Sequence, residues 1–129
     1  MPSVADYLVL SDKPFEIGSG QAVKKNHTIL FTTPAGMDTR NHAIIMFEAN
    51  PFRPNPVVNL SISINDTELA RHVFGGEPMR MLSEPFDPRH SNMKARKSNT
   101  IKFESANPAS KNNGSVRVSD VIFWYKRKI

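Results

Sequence analysis

The chain has 129 residues, 39% hydrophobic and 22% charged, with a formal charge of +5. That length fits one domain with one core over residues 1–129, and the apolar content excludes a disordered chain. Cysteine is absent, which excludes disulfides, thiol nucleophiles and cysteine-ligated zinc or iron–sulfur centres.

No apolar run approaches the roughly 20 residues that span a bilayer. Met1 to Phe15 carry no basic stretch and no long apolar core, so a secretory signal is not expected. The chain is expected in the cytoplasm, exported by a signal-independent route, or as a mature domain.

Apolar runs are short and turn residues separate them. Tyr7 to Leu10 reads as a first strand, ended by Ser11-Asp12-Lys13-Pro14. Phe15 to Ile17 is a short continuation, closed by Gly18-Ser19-Gly20. Thr28 to Thr33 is rich in β-formers, and Pro34-Ala35-Gly36 closes it. Ala43 to Glu48 is apolar on both parities, which predicts a strand covered on both sides. Asn50 to Pro56 holds three prolines in seven residues. It is expected to be a loop, because proline lacks the N–H that a central strand needs.

Val57 to Phe74 is the clearest element. Val58, Leu60, Ile62 and Ile64 share one parity, and Asn59, Ser61 and Ser63 share the other. Successive strand side chains point to opposite faces, so this strand has a dry face and a wet face. Asn65-Asp66 tolerate positive φ, and the chain returns over Glu68 to Phe74 as a hairpin.

Pro78 to Leu82 predicts a short strand, and Glu84 to Pro88 a turn. Arg89 to Ser98 is a polar connection with room for a helical turn or two. Thr100 to Ser105 alternates, with Ile101 and Phe103 inside and Lys102 and Glu104 outside. Asn107 to Gly114 is a loop. Ser115 to Arg127 is the longest strand, and its parity changes near Ser119-Asp120. That predicts a bulge there, or burial of both faces beyond it. Asp120, inside so apolar a strand, is read as a buried carboxylate that needs a partner.

Eight or nine short strands without helix predict an all-β fold, an antiparallel β-sandwich of jelly-roll type. The basic residues are scattered, dense only at Lys94 to Lys97 and Lys126 to Lys128. A nucleic-acid interface is therefore not expected. The reading is a set of solvated loops, with attraction to acidic glycans, lipid headgroups or nucleic acid as its alternative.

Three segments carry a resemblance. They are the hairpin Ile62-Ser63-Ile64-Asn65-Asp66, the strand Asn99-Thr100-Ile101-Lys102-Phe103, and the strand Val116-Arg117-Val118-Ser119-Asp120-Val121-Ile122-Phe123. In this order they resemble the galactose-binding-like jelly-roll sandwiches of carbohydrate-binding modules, over about residues 57–127. Asn65-Asp66 stands where that group has Asn-Gly, and Lys97-Ser98 where it has glycine. The resemblance implies a jelly roll and, by analogy, sugar binding.

Catalytic patterns are absent. His27, His42, His72 and His90 show no metal-ligand spacing. No nucleophile elbow or phosphate loop is present. Two polar clusters lie between strands, where sandwiches place binding residues. They supply the candidate ligand-binding residues: Asp38, Arg40 and His42 in one, Arg89, His90 and Asn92 in the other. Carboxylates beside Asn side chains suit sugar hydroxyls or a calcium ion. Trp124 and Tyr125 face opposite sides of one strand, so at most one points into the core. Phe52 and Phe86 are further candidates for an exposed anchor.

The expected function is therefore non-catalytic glycan recognition, without a required cofactor. It would act through loop residues at one end, or through the wet face carrying Asn59, Ser61, Ser63, Lys102 and Glu104. The alternative is a structural subunit of a particle, or a homo-oligomer joined through edge strands.

Overall fold

A computed structural model describes residues 3–18, 25–53, 58–75, 77–93, 97–105 and 114–129, with backbone alone at 52 and 53. Nine strands run through these residues. They are β1 (Ser3–Ser11), β2 (Phe15–Gly18), β3 (Asn26–Thr32), β4 (Ala43–Arg53), β5 (Val58–Ile64), β6 (Thr67–Phe74), β7 (Arg80–Phe86), β8 (Ser98–Ser105) and β9 (Ser115–Lys128). The first sheet has the order β1-β9-β4-β7, with β2 also paired to β9; the second has the order β3-β8-β5-β6. All pairs are antiparallel. From β2 to β5, and again from β6 to β9, consecutive strands alternate between the two layers in the manner of a jelly roll, as the sequence predicts.

The alternating strands fill the space between the sheets. Leu60, Ile62, Ile64, Ile101 and Phe103 from one sheet meet Ile45, Phe47, Val116, Val118 and Phe123 from the other. All ten are fully buried. Phe103 joins the layers most directly: its ring lies 5.3 Å from Phe47 and 5.3 Å from Phe15. The hairpin of β5 and β6 turns at Asn65 (φ 49°) and Asp66 (φ 67°), two successive left-handed residues that match the strand twist.

Three expectations are corrected. The proline-rich run is not a loop at its start: β4 continues through Pro51 to Arg53. Pairing of β4 with β7 ends at Ala49, and its register with β9 shifts between Asn50 and Arg53. Pro51 therefore sits where one neighbour is missing and the other ladder is irregular, so its absent N–H costs nothing. Residues 54–57 lie outside the described set.

Similarly, β7 runs through Pro85 to Phe86, where a turn was expected. It is an edge strand bonded only to β4, and edges accept proline.

Asp120 is exposed, not buried. It takes φ 54° and forms the predicted bulge, which turns its side chain out of the apolar alternation. Above the bulge β9 pairs with β1, and below it with β2.

The polar connection after β7 forms turns over Pro88 to Asn92 and no helix among the described residues. The loop predicted over Asn107 to Gly114 lies almost wholly outside the described residues, as do Lys94 to Arg96 and the Phe52 side chain.

Candidate functional site

Both polar clusters reach the same end of the sandwich. Ala43 opens β4 and pairs with Phe86, which closes β7, so the loops at 38–42 and 87–92 leave one sheet side by side. Each is built on an aspartate that binds the arginine two residues on. Asp38 Oδ1 accepts from the Arg40 backbone N–H at 3.1 Å and from its Nε at 3.2 Å, and Asn41 Nδ2 donates to Oδ2 at 2.9 Å. Asp87 Oδ1 accepts from the Arg89 N–H at 3.0 Å and from its Nε at 3.1 Å, with Nη2 on Oδ2 at 2.9 Å. Backbone and side chain close one local turn in both cases. Arg40, His42, Arg89, His90 and Asn92 are exposed around these turns.

The guanidinium and backbone N–H of Arg40 hold the Asp38 carboxyl below its ordinary range. The corresponding groups of Arg89 bring Asp87 down to about 2. A depressed carboxylate stabilises the fold above its unfolded value, about 3.9, and loses that contribution as pH falls through about 2. Arg89→Ala should therefore return the Asp87 midpoint toward 3.8 and flatten the stability profile between those limits. Carbon-detected NMR titration of the side-chain carboxyl reads this directly; a midpoint unmoved by the substitution refutes the pairing.

The outer faces of the two sheets differ in kind. On the β3-β8-β5-β6 sheet, Asn59, Ser63, Lys102 and Glu104 face outward as predicted. Ser61 does too, but it is buried: it donates to Glu68 at 2.9 Å, and Arg71 bonds the same carboxylate at 2.9 Å. The other sheet carries an apolar, aromatic outer face. Antiparallel partners share a face. Tyr7, Trp124 and Ile44 form one row across β1, β9 and β4, and Val9, Ile122 and Met46 form the next.

The rings of Tyr7 and Trp124 lie 5.1 Å apart and tilted at 41°, and Tyr7 is 55% exposed. Beside them is a groove of about 200 Å³ lined by Ala5, His42, Ile44, Met46, Trp124, Tyr125 and Lys126. Of the six loop residues picked out in the sequence, His42 lines it, and so do Trp124 and Tyr125 from the aromatic pair. The loop is held against its rim, because the Asp38 N–H donates to the Lys126 carbonyl at 2.8 Å. Met37 pairs with Arg127 in the same stretch. Gly36 takes φ 77° there, and a Cβ on it would meet Arg127 Cγ at 3.2 Å.

Tyr125 points the other way and is buried; burial first, then the nearby Asp6 carboxylate, pushes its phenol up. Trp124 Nε1 is buried with no hydrogen-bond partner among the described residues. Lys126 is exposed, with no ion-pair partner among the described residues.

Phe86, considered as an exposed anchor, is buried in the core. Among the described residues, no three His, Cys, Asp or Glu side chains are placed to hold a metal ion. No helix there is long and apolar enough to cross a membrane. Sequence reasoning missed Tyr7. Its signal is Tyr7-Leu8-Val9-Leu10, apolar on both parities, which marks a strand with an apolar outer face as well as an inner one.

The fold is similar to those of solved β-sandwich domains, carbohydrate-binding modules among them. A CBM36-1 domain of a multidomain xylanase, from the hindgut metagenome of Trinervitermes trinervoides, overlays 95% of this chain and 96% of its own, with a TM-score of 0.51 at 7% identity. A family 35 carbohydrate binding module from Clostridium thermocellum overlays 92% of this chain and 97% of its own, with a TM-score of 0.50 at 8% identity. Dimeric latent PorU from Porphyromonas gingivalis overlays 99% of this chain with a TM-score of 0.69 at 10% identity, and this chain spans only 13% of that protein. Identities this low show a shared fold. They also carry the likeness across the residues before 57, beyond the reach of the sequence resemblance. No protein family model and no curated protein matches the chain.

Proposed function

We propose that residues 1–129 act as one non-catalytic binding module that recognises a glycan on the outer face of the β1-β9-β4-β7 sheet. The observation that carries this reading is the exposed Tyr7 ring set against Trp124 at the edge of an apolar groove. A pyranose has an apolar face of C–H bonds and a rim of hydroxyls. An exposed aromatic ring takes the first, and polar groups beside it take the second. His42 and Lys126 supply that polar rim. The shared fold with the two carbohydrate-binding modules supports the reading at the level of architecture. Arg40, Arg89, His90 and Asn92 stand at the same end and extend the surface available to a longer chain of sugars.

Tyr7→Ala should weaken binding to an immobilised polysaccharide about tenfold, since losing the apolar contact of one aromatic ring costs about 1.5 kcal/mol. Affinity electrophoresis through polysaccharide gels measures this, with circular dichroism checking the fold. Retention unchanged by both Tyr7→Ala and Trp124→Ala would end the claim for this face. The exposed Leu8 and Val9 on edge strand β1 favour a second reading, assembly through that edge. Light scattering on the same samples separates the two, because only assembly changes the mass.

A further inference from the structure

The groove is rich in donors and poor in acceptors. Lys126 offers three N–H donors and no acceptor. Neutral His42 offers one donor and one acceptor, and two donors when protonated. The remaining lining side chains are Ala5, Ile44, Met46, Trp124 and the inward-turned Tyr125. Among the described residues no carboxylate lines the groove. The nearest acid along the same face of β4 is Glu48, and it is taken up by the Ser119 hydroxyl at 3.3 Å.

A neutral sugar hydroxyl accepts on its lone pairs but also carries a proton to donate, so a neutral sugar is best served by a site that offers acceptors as well as donors. Here the lining side chains provide almost no acceptors. A deprotonated acid group has the complementary character, several lone pairs and no proton. Lys126 is exposed with no ion-pair partner among the described residues, and the protein carries a net charge of +5. Charge-assisted bonds to such a group are stronger than neutral ones.

From this donor-rich lining we infer that the groove selects an acidic glycan, one whose sugar sits on Tyr7 and Trp124 and turns a carboxylate or sulfate toward Lys126 and His42. This rests on the glycan reading above and names its ligand class.

The test uses the whole chain and four probes: polygalacturonate, its fully methyl-esterified form, dextran sulfate and a neutral galactan. A dT oligonucleotide serves as a polyanion without sugar acid groups. Polygalacturonate or dextran sulfate should bind, and comparing the two tells a carboxylate ligand from a sulfate one. Methyl esterification should weaken binding about tenfold or more, and Lys126→Met should do the same for the acidic probe alone. Lys126 is exposed, so this substitution leaves the core intact.

Equal binding of galactan and polygalacturonate, unaffected by Lys126→Met, overturns the inference and leaves the glycan reading standing. Binding of no polysaccharide overturns both. Equal binding of the oligonucleotide overturns the inference in favour of unselective charge attraction.

Discussion

Phe103→Ala lowers the unfolding free energy by about 3–5 kcal/mol. Phe103 is fully buried and stands on β8 opposite Ile62, its neighbour in β5. Its ring reaches across the interior to Phe47 on β4 in the other sheet, at 79°, and meets Phe15 at 62°. Both are edge-to-face arrangements, which add to the area term. Truncation leaves a void shared by two sheets that are each fixed by their own ladders, so the walls cannot collapse into it. Leu30→Ala is the matched control. Leu30 lies on β3 in the same sheet but is 74% exposed, and its loss should change stability by no more than about 0.5 kcal/mol. Urea unfolding followed by Trp124 fluorescence measures both. A Phe103→Ala cost close to that of Leu30→Ala would mean that this ring does not bridge the layers.

The contrast between Phe103 and Leu30 shows what the sequence makes legible. Parity is a local property, so Ile101, Phe103, Leu60 and Ile62 can be placed inward from their own strands. The turn at Asn65-Asp66 is local too, because two residues that tolerate positive φ are enough to specify it. The bulge at Asp120 also leaves a local trace, the broken alternation of β9. The burial of Asp120 was misread because the bulge itself expels the residue from that alternation.

What cannot be read locally is which strands become neighbours. Pro51 is tolerated because β4 has lost its β7 partner by that point, and this is a fact of topology. The aromatic groove is of the same kind. Tyr7 and Trp124 lie more than a hundred positions apart and meet only because β1 pairs with β9. The candidate residues of the two loops were visible as polar clusters. Their sequence did not show that Asp38 and Asp87 are each engaged by an arginine two residues away, since Asp in a loop reads equally as turn or ligand. His42 was found by its loop, and the groove beneath it was not.

Asn65→Gly should cost about 2–4 kcal/mol, although glycine accepts the backbone geometry without strain. The reason lies in the side chain. Asn65 Oδ1 accepts from the Thr100 N–H at 3.0 Å, and Nδ2 donates to the Ser91 carbonyl at 2.8 Å and to Asn99 Oδ1 at 2.9 Å. Asn99 is buried and passes the chain on, donating to Thr33 Oγ1 at 2.6 Å and to the Lys97 carbonyl at 3.0 Å. One turn thereby ties β8 and the 87–93 connection to the segment entering the 34–42 loop. Removing the amide strands several buried partners, each at a cost larger than the net worth of one bond.

Asn65→Ala adds backbone strain at φ 49° and should cost about 1 kcal/mol more than Asn65→Gly. The order wild type, Gly, Ala in urea midpoints separates the two causes. A Gly variant as stable as wild type would show that φ alone fixes the residue. The same network anchors Thr33, and the chain beyond Thr33 carries Asp38 to the Lys126 carbonyl and His42 to the groove. The Gly variant should therefore also broaden the NMR signals of His42 and Lys126, residues it does not touch, because the loop that positions them has lost its inner support.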